Sequence, residues 1–333
     1  MAFFTKPNAM KKILKVLLYL LAAIVIIIAV IISYVSYFLP NVGKPENITV
    51  ERTPERIERG KYLANSVTVC MDCHSHRDWT KFAGPMVEGT EGQGGERFDQ
   101  RYGFPGVFYS RNITPYKLSD WTDGEIFRTI TTGVDRNDDA LFPVMPYHYY
   151  GQLDREDIYS IIAYIRTLAP IKNDVPKSKA DFPFSIIQHL IPQKANLQKR
   201  PPESDTIAYG KYMITASACR ECHTKDKKGQ IIEELAFGGG REFVLPSGIV
   251  RSANLTQDVN GLKAWTAEMF IKRFKAYQDT SFHSPTMGEK EFNSIMPWMM
   301  YSKMKESDLY AIFKYLQTVK PIANTVIKFT PKN

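Results

Sequence analysis

The chain has four cysteines, and all of them lie in two Cys-x-x-Cys-His runs, at residues 70–74 and 219–223. Two thiols three positions apart can reach the two vinyl groups of one porphyrin and form thioether bonds, a pattern typical of c-type haem attachment. The adjacent histidine then falls beneath the ring, where an imidazole nitrogen can bind iron. The sequence therefore predicts two covalently attached haem c groups, held by Cys70, Cys73, Cys219 and Cys222.

A Cys-x-x-Cys pair alone could instead be a redox dithiol or half of a zinc site. A zinc site would need two further ligands nearby, and the sequence has no other cysteine to supply them. A thioredoxin-like dithiol normally accompanies a βαβ pattern, which this sequence lacks. Two copies of the motif, each with its immediate histidine, favour haem, with His74 and His223 as the proximal iron ligands.

The distal iron ligand is predicted to be a methionine in each half. Met145 and Met296 each precede a proline, and they lie 71 and 73 residues after His74 and His223. A thioether is a soft neutral donor, so His/Met ligation raises the reduction potential of the iron. Proline stiffens the loop and removes one N–H group, which helps to present the sulfur at a fixed place. Alternative distal ligands are Met299, Met300, Met304, His148 and His283.

An internal repeat contains both haem motifs. Six landmarks recur in the same order, at offsets between 142 and 151 residues. They are Gly-Lys-Tyr, Cys-x-x-Cys-His, Asn-Ile/Leu-Thr, Trp-Thr, Met-Pro and a closing apolar segment. Self-similarity of this kind indicates duplicated structural units. We predict two tandem cytochrome c-like domains, residues 52–172 and 204–323, with a linker at 173–203 and a tail at 324–333.

Each unit is predicted to open and close with a helix. The closing segments have apolar residues at the i, i+3, i+4, i+7 spacing of one helix face, from Ile158 to Ile165 and from Leu309 to Leu316. Caps and stops of these helices are predicted at Asp154, Ser307, Pro170 and Pro321. No long alternating strand pattern is present, so the predicted fold class is all-α.

Several other repeated positions have predicted roles. Gly60 and Gly210 are expected to permit close crossing by the helices that carry Tyr164 and Tyr315. A second set could bind haem propionates or pack in the core and loops, and both interpretations stay open. This set comprises Trp121, Trp265, Asn112, Asn254, Arg111 and Arg251.

Residues 16–39 contain no charged side chain. At about 1.5 Å per residue, a helix of this length spans a hydrocarbon core of roughly 30 Å. Lysines precede it, whereas its distal flank is uncharged until Lys44, so residues 1–15 are predicted to be cytoplasmic. A cleaved signal peptide is the alternative, but its apolar core would normally be about 7–15 residues long. The sequence therefore predicts an uncleaved transmembrane anchor at 16–39, followed by a linker at 40–51.

The charge of the chain is unevenly distributed. The net charge is +8 overall, but +4 in residues 1–50, −4 in 51–170 and +8 in 171–333. A basic total can indicate nucleic-acid binding, yet the sequence has no basic helix, stacking motif or Lys/Arg stripe, so no nucleic-acid partner is expected. The acidic first domain and the basic C-terminal half could steer different partners, an effect that salt would weaken.

Taken together, these motifs resemble the class I cytochrome c superfamily in a tandem dihaem form, over about residues 52–322. More narrowly, the chain is similar to the cytochrome c subunits of membrane-bound periplasmic alcohol and gluconate dehydrogenases. In that group a stretch like the Tyr-Ser-Arg-Asn-Ile-Thr-Pro at 109–115 follows the haem motif, and a segment like 181–187 follows the first haem domain. The chain differs in having two haem motifs where that subunit typically has three, and its membrane segment is N-terminal instead of C-terminal.

The anchor and the resemblance imply a single-pass protein of the bacterial inner membrane, with its haem domains on the periplasmic side. Its expected function is electron transfer, without enzymatic activity of its own. The expected partners are a donor dehydrogenase or quinol-oxidising complex and an acceptor, such as a terminal oxidase or a soluble carrier. The alternatives are a dihaem peroxidase and a c-haem subunit fixed in a terminal oxidase. A peroxidase needs an open or displaceable distal site, against which two Met-Pro loops argue.

Overall fold

The computed structural model describes residues 7–278 and 281–332. Its helices are α1 (Pro7–Phe38), α2 (Pro54–Tyr62), α3 (Cys70–Cys73), α4 (Pro115–Leu118), α5 (Asp123–Thr132), α6 (Tyr147–Tyr150), α7 (Arg155–Ile165), α8 (Phe184–Ile187), α9 (Thr206–Ala216), α10 (Cys219–Cys222), α11 (Ala267–Lys275), α12 (Trp298–Tyr301) and α13 (Glu306–Leu316). Its strands are β1 (Arg97–Phe98), β2 (Gly106–Tyr109), β3 (Lys179–Ala180), β4 (Asp226–Lys227), β5 (Gln230–Ile231), β6 (Glu242–Leu245), β7 (Gly248–Arg251) and β8 (Phe329–Pro331). A π-helical turn occupies Leu63–Val67, and 3₁₀ turns occupy Gln100–Tyr102, Gln188–Leu190 and Glu233–Leu235.

Short strands accompany the helices, so the prediction of an all-α fold is only partly correct. Strands β1, β2 and β3 form one antiparallel sheet, and β6, β7 and β8 form another. The two sheets are built alike: a strand after the closing helix pairs with an earlier strand, Gly106 opposite Ala180 and Gly248 opposite Pro331. These strands have two to four residues, too few to produce a recognisable alternating pattern in the sequence.

The opening and closing helices of each unit cross at a glycine. Helix α2 packs on α7, and α9 packs on α13. A Cβ atom built on Gly60 would lie 1.8 Å from the carbonyl oxygen of Ser160, and one on Gly210 would lie 2.0 Å from that of Ala311. Only a residue without a side chain permits such an approach of two backbones. The predicted close crossing is therefore confirmed in both units.

The two closing helices begin differently. Helix α7 follows Asp154, whose carboxylate accepts a hydrogen bond from the Glu156 N–H at 2.9 Å, which confirms the predicted cap. Helix α13 follows Lys305, so the predicted cap at Ser307 is wrong. The Lys305 carbonyl already accepts a hydrogen bond from the Asp308 N–H at 3.1 Å, which places Ser307 inside the first turn. Both helices end before the predicted prolines.

The two units share one hydrophobic core, since buried residues from both belong to a single contact cluster. Its fully buried members include Leu63, Ile158, Ile162, Met213, Leu309 and Leu316. Helix α6 of the first unit packs on α9 of the second, and α12 of the second packs on the π-helical turn of the first. The haem motifs therefore lie in units that are held together by apolar packing.

A reciprocal pair of tyrosine–aspartate hydrogen bonds also joins the units. The Tyr62 hydroxyl donates to Asp308 at 2.5 Å, and the Tyr212 hydroxyl donates to Asp157 at 2.7 Å. Each hydroxyl also accepts a backbone N–H from the residue three positions before that aspartate, at 3.0 and 3.1 Å. The partners occupy equivalent positions of the repeat, so the interface has an approximate two-fold relation.

Asp157 is the more heavily paired of the two aspartates. Arg59 donates to both of its carboxylate oxygens, at 3.0 and 2.8 Å, and Arg200 donates to it at 2.8 Å. Burial alone would raise the pKa of Asp157, but the hydrogen bond and charge of Arg59, with Tyr212 and Arg200, hold the pKa below its usual value. The carboxylate is therefore charged in the folded protein at neutral pH.

Replacing Tyr212 with phenylalanine is expected to lower the free energy of unfolding by about 1.5–3 kcal/mol, because a buried carboxylate loses a charge-assisted hydrogen bond. Tyr62→Phe should have a similar effect, and Tyr310→Phe, on an exposed ring of α13, should change it little. Since the native pKa of Asp157 lies below its unfolded value, its contribution is present at neutral pH and is lost as the pH falls through the native pKa. Chemical denaturation at neutral and at acidic pH measures the free energy of unfolding of each variant. Equal stability of all three variants would contradict a stabilising role of the two tyrosine–aspartate bonds.

Helix α1 contains the apolar segment that the sequence predicts. Over Met10–Phe38 it is 29 residues long, and its most apolar 18-residue stretch has a mean hydropathy of 3.2 with no part buried inside the protein. By length and composition this helix can cross a membrane. It includes the predicted span except Leu39, which follows the last residue of the helix.

Candidate haem sites

Each Cys-x-x-Cys pair forms a single helical turn, α3 or α10, that follows a residue in the left-handed conformation. Val69 has a φ of 47°, and Ala218 has a φ of 48°. A non-glycine residue rarely adopts this conformation, and a β-branched valine does so at the greatest cost. Its occurrence before both motifs indicates that the geometry of the turn is required there. Neither residue type predicts it from the sequence.

The environment of the cysteines does not suit a redox dithiol. All four are free of disulfide bonds. Burial raises the pKa of Cys73 and that of Cys219 to about 12, whereas a redox-active cysteine needs a stabilised thiolate. Within residues 7–278 and 281–332, no group of three or more His, Cys, Asp or Glu side chains could hold a metal ion. The structure therefore supports neither of the alternatives to haem attachment.

The two proximal histidines are oriented alike. The Nδ1 atom of His74 donates to the carbonyl oxygen of Arg111 at 2.7 Å, and that of His223 donates to Ala253 at 2.8 Å. Burial lowers the pKa of both imidazoles, which favours the neutral form. With the proton on Nδ1, the lone pair on Nε2 is available for a metal. A neutral, oriented imidazole next to a pair of free thiols fits haem c.

A glycine holds each histidine loop in place. The N–H groups of Gly94 and Gly239 donate to the carbonyls of His74 and His223, at 2.8 and 2.9 Å. Both glycines have a φ of 69°. A Cβ atom on Gly94 would lie 2.5 Å from the backbone of Arg111, and one on Gly239 would lie 2.5 Å from the backbone of Ala253. These are the two residues whose carbonyls accept the histidine Nδ1–H groups. No sequence-based prediction included these two glycines, although both repeats have a glycine-rich loop at this point.

Met145 and Met296 lie in equivalent tight turns. The Tyr147 N–H donates to the Met145 carbonyl at 2.8 Å, and the Trp298 N–H donates to the Met296 carbonyl at 2.7 Å. Each hydrogen bond closes a turn around the intervening proline, and α6 or α12 begins at the residue that donates it. Both methionines are half-buried and pack against the shared core.

A tyrosine ties each Met-Pro loop to the haem motif of its own unit. The Tyr150 hydroxyl at the end of α6 donates to the Thr68 carbonyl at 2.7 Å, and the Tyr301 hydroxyl of α12 donates to the Ser217 carbonyl at 2.8 Å. Each acceptor lies two residues before the first cysteine of a motif. The structure therefore brings the predicted distal loop and the predicted attachment turn together in both units, and it does so in the same way.

The structure favours Met296 over two of its rivals. Met300 and Met304 are only 2% and 1% exposed and belong to the hydrophobic core, whereas Met296 is half-buried beside it. The exposed His148 faces the other unit, with its Nε2 atom 3.4 Å from a carboxylate oxygen of Glu221. His283 is exposed on a loop, and Met299 is half-buried in α12.

The candidate propionate ligands have partners within the protein. Asn112 and Asn254 each donate to two backbone carbonyls after the closing helix and accept from the threonine two residues further on. Arg111 lies 3.6 Å from Asp135, and Arg251 lies 2.8 Å from Glu242. Packing roles therefore account for the asparagines. Trp121 and Trp265 are half-buried, and within the described residues no protein group accepts a hydrogen bond from either indole.

The two haem motifs lie close to the interface between the units. His148 lies three residues after Met145 in the first unit, and its partner Glu221 lies within the Cys-x-x-Cys-His run of the second unit. Burial raises the pKa of Tyr301 well above its usual value, and the thiols of its own unit add to this, as do Tyr150 and Asp72 of the first unit. The surroundings of this buried tyrosine therefore include parts of both motifs.

Comparison with known proteins agrees with these features. No protein-family model matches the chain. It is 28% identical over 277 residues to the fructose dehydrogenase cytochrome subunit of Gluconobacter japonicus, covering 79% of this chain and 52% of the relative. It is 25% identical over 280 residues to the gluconate 2-dehydrogenase cytochrome c subunit of Pantoea cypripedii, covering 79% and 59%. A dihaem cytochrome c-type protein of Cereibacter sphaeroides is 27% identical over 167 residues, covering 46% and 53%.

These relatives confirm the resemblance that the motifs indicate: the chain is homologous to cytochrome subunits of dehydrogenases. The chain spans little more than half the length of the first two relatives.

Proposed function

We propose that this chain carries two haem c groups and passes electrons between redox proteins at the outer face of a bacterial inner membrane. The observation that carries the proposal is the duplicated site, in which an oriented histidine, a Cys-x-x-Cys turn and a tethered Met-Pro loop occur together twice. Haem c bound there would supply a one-electron ferric/ferrous couple. The two haem domains would occupy residues 52–172 and 204–323.

Each residue of the duplicated site has a distinct role in this proposal. The thioether bonds would form at Cys70, Cys73, Cys219 and Cys222, with His74 and His223 as proximal ligands and Met145 and Met296 as distal ligands. The backbone carbonyls that accept the Nδ1–H groups fix both imidazole rings and increase the basicity of Nε2. The neutral sulfur ligands favour the reduced state.

The partners are proposed from the relatives and from α1. Cytochrome subunits of fructose, gluconate and alcohol dehydrogenases suggest a dehydrogenase as the electron donor. The acceptor would be a terminal oxidase or a soluble carrier. Helix α1 would anchor the chain in the inner membrane, with the lysines of its first turns in the cytoplasm and the haem domains on the periplasmic side. The comparisons do not favour the peroxidase alternative.

Anaerobic reduction of the detergent-solubilised full-length protein tests this function. We expect each chain to take up two electrons and return them to ferricyanide, with a low-spin spectrum in both oxidation states, because both distal positions are filled. Added peroxide should leave the rate of reoxidation unchanged apart from slow non-specific oxidation. A high-spin ferric spectrum with catalytic peroxide turnover would contradict the carrier proposal and support an enzyme.

A further inference from the structure

The segment between the two units exposes a group of large apolar side chains. Phe182 is 78% exposed and Leu190 is 55% exposed. Phe184 and Ile187 of α8 are also exposed. These four residues form what we call the apolar segment. Phe182 precedes α8, and Leu190 ends the 3₁₀ turn that follows α8. Both α8 and this turn contact α1.

The position of this contact along α1 fixes its depth in a bilayer. Lys15 and Tyr34 are 19 residues apart, which corresponds to about 29 Å of helix and so to the thickness of a hydrocarbon core. Val35 lies just beyond; it is only 7% exposed and is the one buried residue among residues 10–38, so we place the contact there. The aromatic rings of Tyr37 and Phe38 are exposed. Exposed aromatic residues at the end of a membrane helix are typical of the interface with water. The apolar segment therefore lies at the level of the outer interface.

The apolar segment is held firmly on the first unit. The Asp181 N–H donates to the Pro105 carbonyl at 2.9 Å, and the Gln100 side chain donates to the Asp181 carboxylate at 2.8 Å. The Phe184 ring packs edge-on against Phe142, with ring centroids 6.5 Å apart. These contacts fix the start of the apolar segment on the first unit.

We propose that the apolar segment inserts its side chains into the outer interface of the lipid bilayer, beside the anchor. The lipid is identified as the occupant by continuity: the segment abuts the end of a helix whose own apolar surface is exposed except at Val35. Transfer of these apolar side chains out of water is favourable. Because the segment is already held on the first unit, its backbone does not have to become ordered when it binds the bilayer. This second contact orients the first unit toward the membrane, and it does not depend on haem or on electron transfer.

Spin labels on the full-length protein in liposomes test this contact. Cysteines introduced by Phe182→Cys and Leu190→Cys would carry a nitroxide, and its relaxation by oxygen would be compared with relaxation by a water-soluble nickel chelate. We expect the ratio of oxygen to nickel accessibility at both positions to exceed, by several-fold, the ratio at Val259→Cys. Val259 is a matched control because it is an apolar residue of the second unit that is 76% exposed.

A label at Ile26→Cys, in the middle of α1, separates this proposal from the anchor itself. If Ile26 is accessible to oxygen while positions 182 and 190 match Val259, the anchor stands and the second contact is wrong. If labels at 182 and 190 are shielded from both reagents, and more so at higher protein-to-lipid ratios, a second copy of the chain occupies the segment, which also overturns the proposal. Wild-type protein treated with the same label reports any reaction of the native cysteines.

Discussion

Replacing Met296 with alanine is expected to lower the reduction potential of one haem centre by about 0.1 V or more and to leave the other unchanged. Axial ligands set haem potentials over a range of about 0.8 V, and loss of a thioether removes the donor that favours ferrous iron. Met145→Ala should shift the other centre instead. A redox titration of the purified protein, followed by visible and near-infrared spectra, resolves the two centres and reports loss of the sulfur–iron band.

The matched control for this prediction is Met299→Ala. Met299 is a half-buried methionine three residues from Met296, in the same part of the second unit, so its loss tests whether any nearby methionine affects the potential. Both potentials should stay within measurement error in this variant. A shift in Met299→Ala without one in Met296→Ala would reassign the distal ligand to Met299. No shift in Met145→Ala would remove that residue from the first site.

Replacing Gly210 with alanine is expected to reduce the free energy of unfolding by about 3–5 kcal/mol, which is at the upper end for a single substitution. The new Cβ atom would lie 2.0 Å from a backbone oxygen of α13, so the two helices must move apart and the close packing of the core is lost. The higher intrinsic helix preference of alanine, about 1 kcal/mol, is too small to compensate. Gly60→Ala should behave alike because its Cβ would meet a backbone oxygen of α7.

Gly288→Ala is the control for the glycine prediction. Around Gly288 the nearest atoms to an added Cβ belong to the exposed side chain of Glu291, which can rotate away. Denaturant unfolding followed by far-UV circular dichroism should show an unchanged midpoint for this variant. An equally small effect of Gly210→Ala would mean that the opening and closing helices do not cross as closely as the structure shows.

The sequence predicted those features that depend on residue type and spacing. Haem attachment requires two cysteines and a histidine at fixed positions, so the motif alone indicates the chemistry. The proline after Met145 and the glycine at position 60 both recur at the equivalent place of the second repeat, where a rigid loop and a close helix crossing need those residue types. For these features, local chemistry restricts the residue type so strongly that the sequence alone identifies the residues. The structure then shows where they lie.

Other features depend on tertiary contacts and could not be predicted. Ser307 is a suitable cap by type, but the cap of α13 is Lys305, two residues earlier. The left-handed Val69 contradicts its own conformational preference. The bond from Tyr62 to Asp308 joins residues 246 positions apart, at different places in the repeat, so comparison of the two repeats does not suggest it.

The mass of the intact mature chain shows whether haem is covalently attached at both motifs. We expect the mass of two covalently attached haems per chain, falling to one when both cysteines of either motif are replaced by alanine. Two double variants serve as matched controls, and each should lose one haem adduct and keep the other. They are Cys70→Ala with Cys73→Ala, and Cys219→Ala with Cys222→Ala. A wild-type chain that carries no covalent haem, under conditions where a known c-type cytochrome matures normally, would contradict haem attachment at these motifs.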